Sequence, residues 1–198
     1  MTDLFGFELG DGLASDRCPL CHALDVHMQR WLDSFWREGR RQPVVRERFY
    51  AAGGFCNRHV WLARPDRAHP NGVADVYGRL ASRDIAAADA ALAKRARRRE
   101  RVQCLRRPAP CPACREEEDA AIRKAQFLLD MMATPTGRER YEKSRGACHS
   151  HLLVMLGEAD DPLSRFLLED WRRRLVGLRD RAEDDGGELI ARYAGRVT

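Results

Sequence analysis

The sequence predicts an all-α protein of two pseudo-repeated helical lobes followed by an amphipathic C-terminal helix. Three observations lead there. Apolar residues recur at helical spacing through most of the 198 residues. No segment alternates apolar and polar residues with the β-branched enrichment of a strand. A set of cysteine and histidine motifs occurs twice in the same order. With 44% apolar residues the chain has material for a real core, which excludes a disordered or low-complexity protein. No apolar run approaches the ~20 residues of a membrane span, so no membrane association is expected.

The elements follow in order. Residues 1–15 read as an N-terminal segment: Asp3, Glu8 and Asp11 interrupt its apolar residues, and it lacks a basic leader region. No secretory signal is therefore expected, and the cytoplasm is the default compartment. After Cys21, the residues Leu24, Met28, Trp31, Leu32, Phe35 and Trp36 repeat near 3.6 until Gly39. A short helix is expected from about Pro43 to Ala52, with proline in its first turn and Gly53-Gly54 as its stop. A third helix opens near Cys56 and is broken by Pro65, Pro70 and Gly72. A single long helix is expected from about Val73 to Val102. The scheme then recurs over about Pro112 to Met132, Thr136 to Lys143 and Cys148 to Leu156. From Pro162, a stripe of Leu163, Leu167, Trp171, Leu175 and Leu178 marks the amphipathic helix, and a last short helix carries Leu189, Ile190 and Tyr193.

The duplication organises these elements. Cys18-Pro-Leu-Cys21 recurs as Cys111-Pro-Ala-Cys114, a shift of 93 residues. Arg46-Glu47-Arg48-Phe49 recurs as Arg138-Glu139-Arg140-Tyr141, and Gly54-Phe55-Cys56 with His59 recurs as Gly146-Ala147-Cys148 with His151, both shifted by 92. One deleted residue reconciles the shifts. Six of the seven cysteines fall into this ordered pattern. The expected domains are residues 16–103 for the first repeat with its connecting helix, and 104–198 for the second with the C-terminal helices.

Each repeat thus offers three thiols and one imidazole, spaced C-x2-C and C-x2-H. Such spacings let two ligands converge on one ion, and three thiolates with one neutral imidazole are a usual composition of structural zinc. A disulfide framework is the wrong reading for an odd cysteine count without an export signal. Buried thiols in an ordinary core would not call for histidines at matched positions. The expectation is two zinc ions per chain, each pinning one lobe: Cys18, Cys21, Cys56 and His59 in the first, Cys111, Cys114, Cys148 and His151 in the second. An iron–sulfur cluster is the chemical alternative, since histidine replaces cysteine in some clusters. His149 competes with His151, but it aligns with Asn57 whereas His151 aligns with His59.

Other motif matches carry less. Cys18 to His22 spells the C-x-x-C-H of haem attachment, yet Arg115 stands where His22 would recur. C-P-x-C is also a thiol-oxidoreductase motif, but those enzymes place it after a strand of an α/β fold. Cys104 has no counterpart and no adjacent histidine, which favours a packed linker thiol over a nucleophile.

Lysine and arginine number 35 against 30 acidic residues, for a net charge of +5, and only Lys94, Lys124 and Lys143 are lysines. Lys94, Arg95, Arg97, Arg98, Arg99 and Arg101, followed by Arg106 and Arg107, form the one concentrated basic stretch. These residues are candidate phosphate contacts. However, the charges encircle a helix, and no aromatic residue interleaves for base stacking. A solvated linker is the simpler reading.

With these residues in view, the chain resembles an uncharacterised bacterial and archaeal family, a domain-of-unknown-function grouping. The likeness rests on Cys18 to Cys21, Gly54 to His59, Cys111 to Cys114 and Gly146 to Leu152, with Gly72 to Tyr77 between, and covers roughly residues 16–178. It implies a helical metal-binding fold and no established activity. The functional expectation is a non-catalytic zinc-binding protein, an adaptor or regulator acting through contacts with another protein. The alternatives are a nucleic-acid-binding protein using the arginine stretch, and a thiol-redox or metal-dependent enzyme with a labile site. No nucleophile–base pair, phosphate loop or paired-carboxylate motif is visible, and no catalytic residue is assigned.

Overall fold

The structure is a computed structural model that describes residues 4–63, 69–93, 97–107, 109–179 and 186–194. Among the described residues all regular structure is helical. The helices are α1 (Leu4–Ala14), α2 (Pro19–Arg37), α3 (Pro43–Ala51), α4 (Asn57–Ala63), α5 (Pro70–Ala93), α6 (Arg98–Cys104), α7 (Pro112–Met132), α8 (Pro135–Lys143), α9 (His149–Glu158), α10 (Asp161–Arg179) and α11 (Gly186–Ala194). A 3-10 turn, Gly39–Arg41, leads into α3. Prolines open α2, α3, α5, α7 and α8, where the missing N–H is one the first turn leaves unpaired anyway. The chain divides into two compact units: Met1–His27 with Glu117–Thr198, and Met28–Glu116. The divisions fall inside α2 and inside α7.

Unit 1 is built on Leu9 and Leu13 of α1, Leu20 of α2, Leu128 and Met132 of α7, and Met155 of α9, closed by Leu163 and Leu167 of α10. Gly12 is required where α1 meets the start of α2, because a Cβ there would lie 2.7 Å from the Pro19 carbonyl oxygen. Within this core Lys124 of α7 is fully buried and pairs with Glu8 of α1, itself 3% exposed. The turn from α7 to α8 is capped by Thr134, whose hydroxyl accepts from the Gly137 N–H at 3.1 Å.

Unit 2 is an aromatic core. Phe35 and Trp36 of α2 meet Phe49 of α3, Phe55 of the following loop, and Val76 and Leu80 of α5. The Phe35 and Phe55 rings sit edge to face with centroids 4.7 Å apart, and Phe35 stacks on Phe49 at 5.1 Å. Fully burying such a ring contributes about 1.5–3 kcal/mol, so this cluster fixes α2, α3 and the Phe55 loop as one body.

The N-terminal segment forms a helix over residues 4–14 that packs into the core. Two expectations need correction. The helix expected through Val102 is interrupted: Arg97 is extended (φ −69, ψ 162) and its N–H donates to the Glu100 carboxylate at 2.7 Å, so a new helix is capped there. The units do not follow the copies, since the boundaries lie at 27/28 and 116/117, not at 103/104. The reason is helix length: α2 and α7, 19 and 21 residues long, each carry the chain out of one unit and into the other.

Candidate metal centres

In unit 1, Cys18 immediately precedes α2 and Cys21 lies in its first turn. Cys148 caps the N-terminus of α9 with extended backbone (φ −75, ψ 167), and His151 follows in the first turn. A three-residue step on a helix puts both members of each pair on one face. Two helix N-termini therefore present four ligand atoms, and their partial positive charge favours thiolates. The His151 Nδ1 lies 3.5, 3.3 and 3.3 Å from the Sγ atoms of Cys18, Cys21 and Cys148. Cys21 and Cys148 are 3.7 Å apart, sulfur to sulfur.

Unit 2 repeats the arrangement with Cys56, His59, Cys111 and Cys114. The His59 Nδ1 is 3.3 Å from Cys56, 3.4 Å from Cys114 and 3.8 Å from Cys111, and Cys56 lies 3.7 Å from Cys114. His59 is wholly buried. The Cys56 N–H donates to the Cys111 sulfur at 3.3 Å, a bond that suits a thiolate.

These edges match a tetrahedron around one ion. With metal–sulfur bonds of about 2.3 Å and metal–nitrogen bonds of about 2.05 Å, the S···S edge is about 3.8 Å and the S···N edge about 3.5 Å. A disulfide, at about 2.05 Å, is far shorter than either sulfur pair. All seven cysteines are free. Two closed four-ligand groups can each hold a metal ion.

Without an ion, the ligands share protons among themselves. Hydrogen bonds that Cys21 makes to Cys148 and Cys18, with burial, push its thiol far up. Cys148 is held far down by hydrogen bonds from Cys18 and Cys21. Burial opposes the imidazolium of His151, but Cys148 and Cys18 outweigh it and raise the ring to about 10. In unit 2, burial works against the Cys111 thiolate, yet the His59 ring and backbone N–H groups bring it down to about 6. Burial and the Cys56 thiol push Cys114 up to about 12.

The two centres draw on both copies, which overturns the expected pairing. Cys18 and Cys21 of the first copy meet Cys148 and His151 of the second, while Cys111 and Cys114 of the second meet Cys56 and His59 of the first. A rigid helix explains this. Cys21 stands 14 positions before Phe35 in α2, about 21 Å of helical rise. Phe35 packs on Phe55, the neighbour of Cys56. Cys114 likewise stands 14 positions before Leu128 in α7, and Leu128 shares its core with Ala147, the neighbour of Cys148. Each C-P-x-C pair sits at the wrong end of its helix to reach its own partner. The expected helix after Cys21 carries the chain about 21 Å away from that pair, and the sequence does not show whether the following segment returns to it.

None of the other described candidates belongs to either ligand set. Arg97, Arg98, Arg99 and Arg101 are exposed on and beside the short helix α6, and Lys94 and Arg95 lie outside the described residues. Cys104 is half-buried, its thiol donating to the Arg101 carbonyl at 2.9 Å. His149 is exposed and its ring meets Trp171 and Tyr193. No described helix is long and apolar enough to cross a membrane. Comparison with protein-family models, with curated proteins and with solved structures gave no match.

Proposed function

We propose that this is a non-catalytic helical protein whose two centres hold structural zinc, and that it acts as an adaptor through contacts with other proteins. The observation that carries the reading is the pair of closed tetrahedral Cys3His sets. Four protein ligands per set leave no coordination position for substrate, which is the mark of structural sites as against catalytic ones. Edges of 3.7 Å between sulfurs suit a single ion, whereas a multi-iron cluster spreads its ligand sulfurs further. Zinc needs no redox partner and favours mixed thiolate–imidazole tetrahedra. The contact role is supported by apolar side chains left exposed on α5 and α6, namely Ile85, Leu92 and Val102. The resemblance to the domain-of-unknown-function grouping rests on the same ligand residues and adds no activity.

The test is elemental analysis with a visible spectrum on protein purified without added metal. Two zinc ions per chain and a colourless solution are expected. Iron with broad visible absorption would replace the reading by the cluster alternative, and cobalt substitution showing a solvent-exchangeable ligand would favour a catalytic site.

A further inference from the structure

The loops that lead to Cys56 and Cys148 share one kind of contact, Arg83 of α5 donating to the Tyr50 carbonyl at 2.5 Å and Arg174 of α10 to the Glu142 carbonyl at 3.0 Å, and differ in the rest. Before Cys56, α3 stops through its own backbone: the Gly53 N–H reaches the Tyr50 carbonyl at 3.1 Å and the Gly54 N–H the Phe49 carbonyl at 2.9 Å. This is the Schellman stop, with Gly53 at φ 69. Before Cys148 the amides turn to side chains instead. The Gly146 N–H donates to the Ser144 hydroxyl at 3.0 Å and the Ala147 N–H to the Tyr141 hydroxyl at 3.1 Å.

The carbonyls of that second loop point at two arginines. Arg192 of α11, only 6% exposed, donates through one terminal nitrogen to the Arg145 carbonyl at 2.6 Å and the Ala147 carbonyl at 3.0 Å. Arg174 of α10 donates to the Ser144 carbonyl at 2.7 Å and the Glu142 carbonyl at 3.0 Å. Asp170 fixes Arg174 from behind at 2.6 Å. The guanidinium lies against Gly146, where a Cβ would come within 2.8 Å of its Nε. Glu188, one turn before Arg192 on α11, pairs with the Arg145 side chain.

We propose that Arg192 and Arg174 are positioning residues of the unit 1 metal centre, aiming Cys148 by clamping the carbonyls of the Ser144–Ala147 loop. Arg192 reaches the loop from α11, so retention of this ion depends on the C-terminal helix staying docked. Withdrawing Arg192 leaves the buried Ala147 carbonyl, next to Cys148, without its charged donor. The loop then samples other conformations and the sulfur leaves the ion more often. The unit 2 loop has an arginine contact of its own, Arg83 on the Tyr50 carbonyl at 2.5 Å, but Arg192 and Arg174 make their contacts within unit 1, so the unit 2 centre is an internal control. The inference rests on the metal-binding reading, and the experiment separates the two.

The full-length chain is loaded with zinc, and release to excess chelator is followed in wild type, Arg192→Met and Arg192→Lys. Arg192→Met should release one ion at least about tenfold faster and leave the other at its wild-type rate, with helicity unchanged. The accelerated phase should be the one that Cys148→Ala abolishes and Cys56→Ala retains. Arg192→Lys should recover part of the slow release, because a single cationic nitrogen already serves both carbonyls. If Arg192→Met does not fold, Arg174→Lys should accelerate the same phase, since one ammonium cannot span its carbonyls and Asp170 together. Wild-type rates for both ions in the variants, or equal acceleration of both, would overturn the clamp. A wild-type chain that holds no ion would instead refute the metal-binding reading itself.

Discussion

At neutral pH the ligand atoms of a metal-free chain still carry protons that an incoming ion must displace. His151 stays protonated up to about 10 and Cys114 up to about 12, while Cys111 is already a thiolate above about 6. The sign follows directly: metal needs the deprotonated forms, so uptake releases protons and affinity weakens as pH falls. Calorimetric titration in buffers of different ionisation enthalpy should show net proton release on zinc binding at pH 7. Affinity that stays constant from about pH 6 to about pH 8 would contradict it. At this scale the sequence is most readable. The eight ligand candidates stand out because cysteine and histidine recur together in order, and His151 is separated from His149 by alignment alone. Of the residues that support them, Tyr141 falls in a repeated block, whereas Ser144, Arg174 and Arg192 carry no comparable signal. In a chain this rich in arginine, nothing local distinguishes a clamping guanidinium from a solvated one.

At the level of elements, apolar periodicity and proline starts locate most helices. The exceptions have physical causes. In α1 the glycines Gly6, Gly10 and Gly12 argue against a helix on propensity, yet the absence of a side chain at Gly12 is what admits the Pro19 backbone. The break at Arg97 comes with a cap by the Glu100 carboxylate, which accepts from the Arg97 N–H, hidden in a run that otherwise reads as continuous helix. The buried Glu8–Lys124 pair was also out of reach, since burial of a charge is a tertiary fact. That pair joins α1 to α7 within the buried core of unit 1. Lys124→Met is therefore expected to cost about 3–5 kcal/mol by removing the buried cation that Glu8 faces, whereas Glu8→Leu with Lys124→Met together should recover most of the loss. Denaturant unfolding of the three variants checks this. A double variant as unstable as the single one would show that the pair contributes more than mutual neutralisation.

Across the whole molecule, duplication did not yield two self-contained lobes. Each copy supplies its C-P-x-C pair to one unit and its C-x2-H pair to the other, so neither copy holds a complete ligand set. The fold class and the membership of the duplicated motif are legible in the sequence. The partition of the ligands is not given by motif order, because order along the chain says nothing of which ends of two long helices meet. The packing of Phe55 on Phe35 and of Ala147 with Leu128, at the far ends of α2 and α7, decides it.

Metal stoichiometry in paired cysteine variants tests that partition most directly. Cys18→Ala with Cys148→Ala removes two ligands from one centre in the exchanged arrangement, so the chain should retain one ion. Cys18→Ala with Cys56→Ala removes one ligand from each centre, so both ions should be lost or weakly held. The opposite pattern, with the Cys18/Cys148 variant losing both ions and the Cys18/Cys56 variant keeping one, would contradict the exchanged pairing and restore a complete centre to each copy.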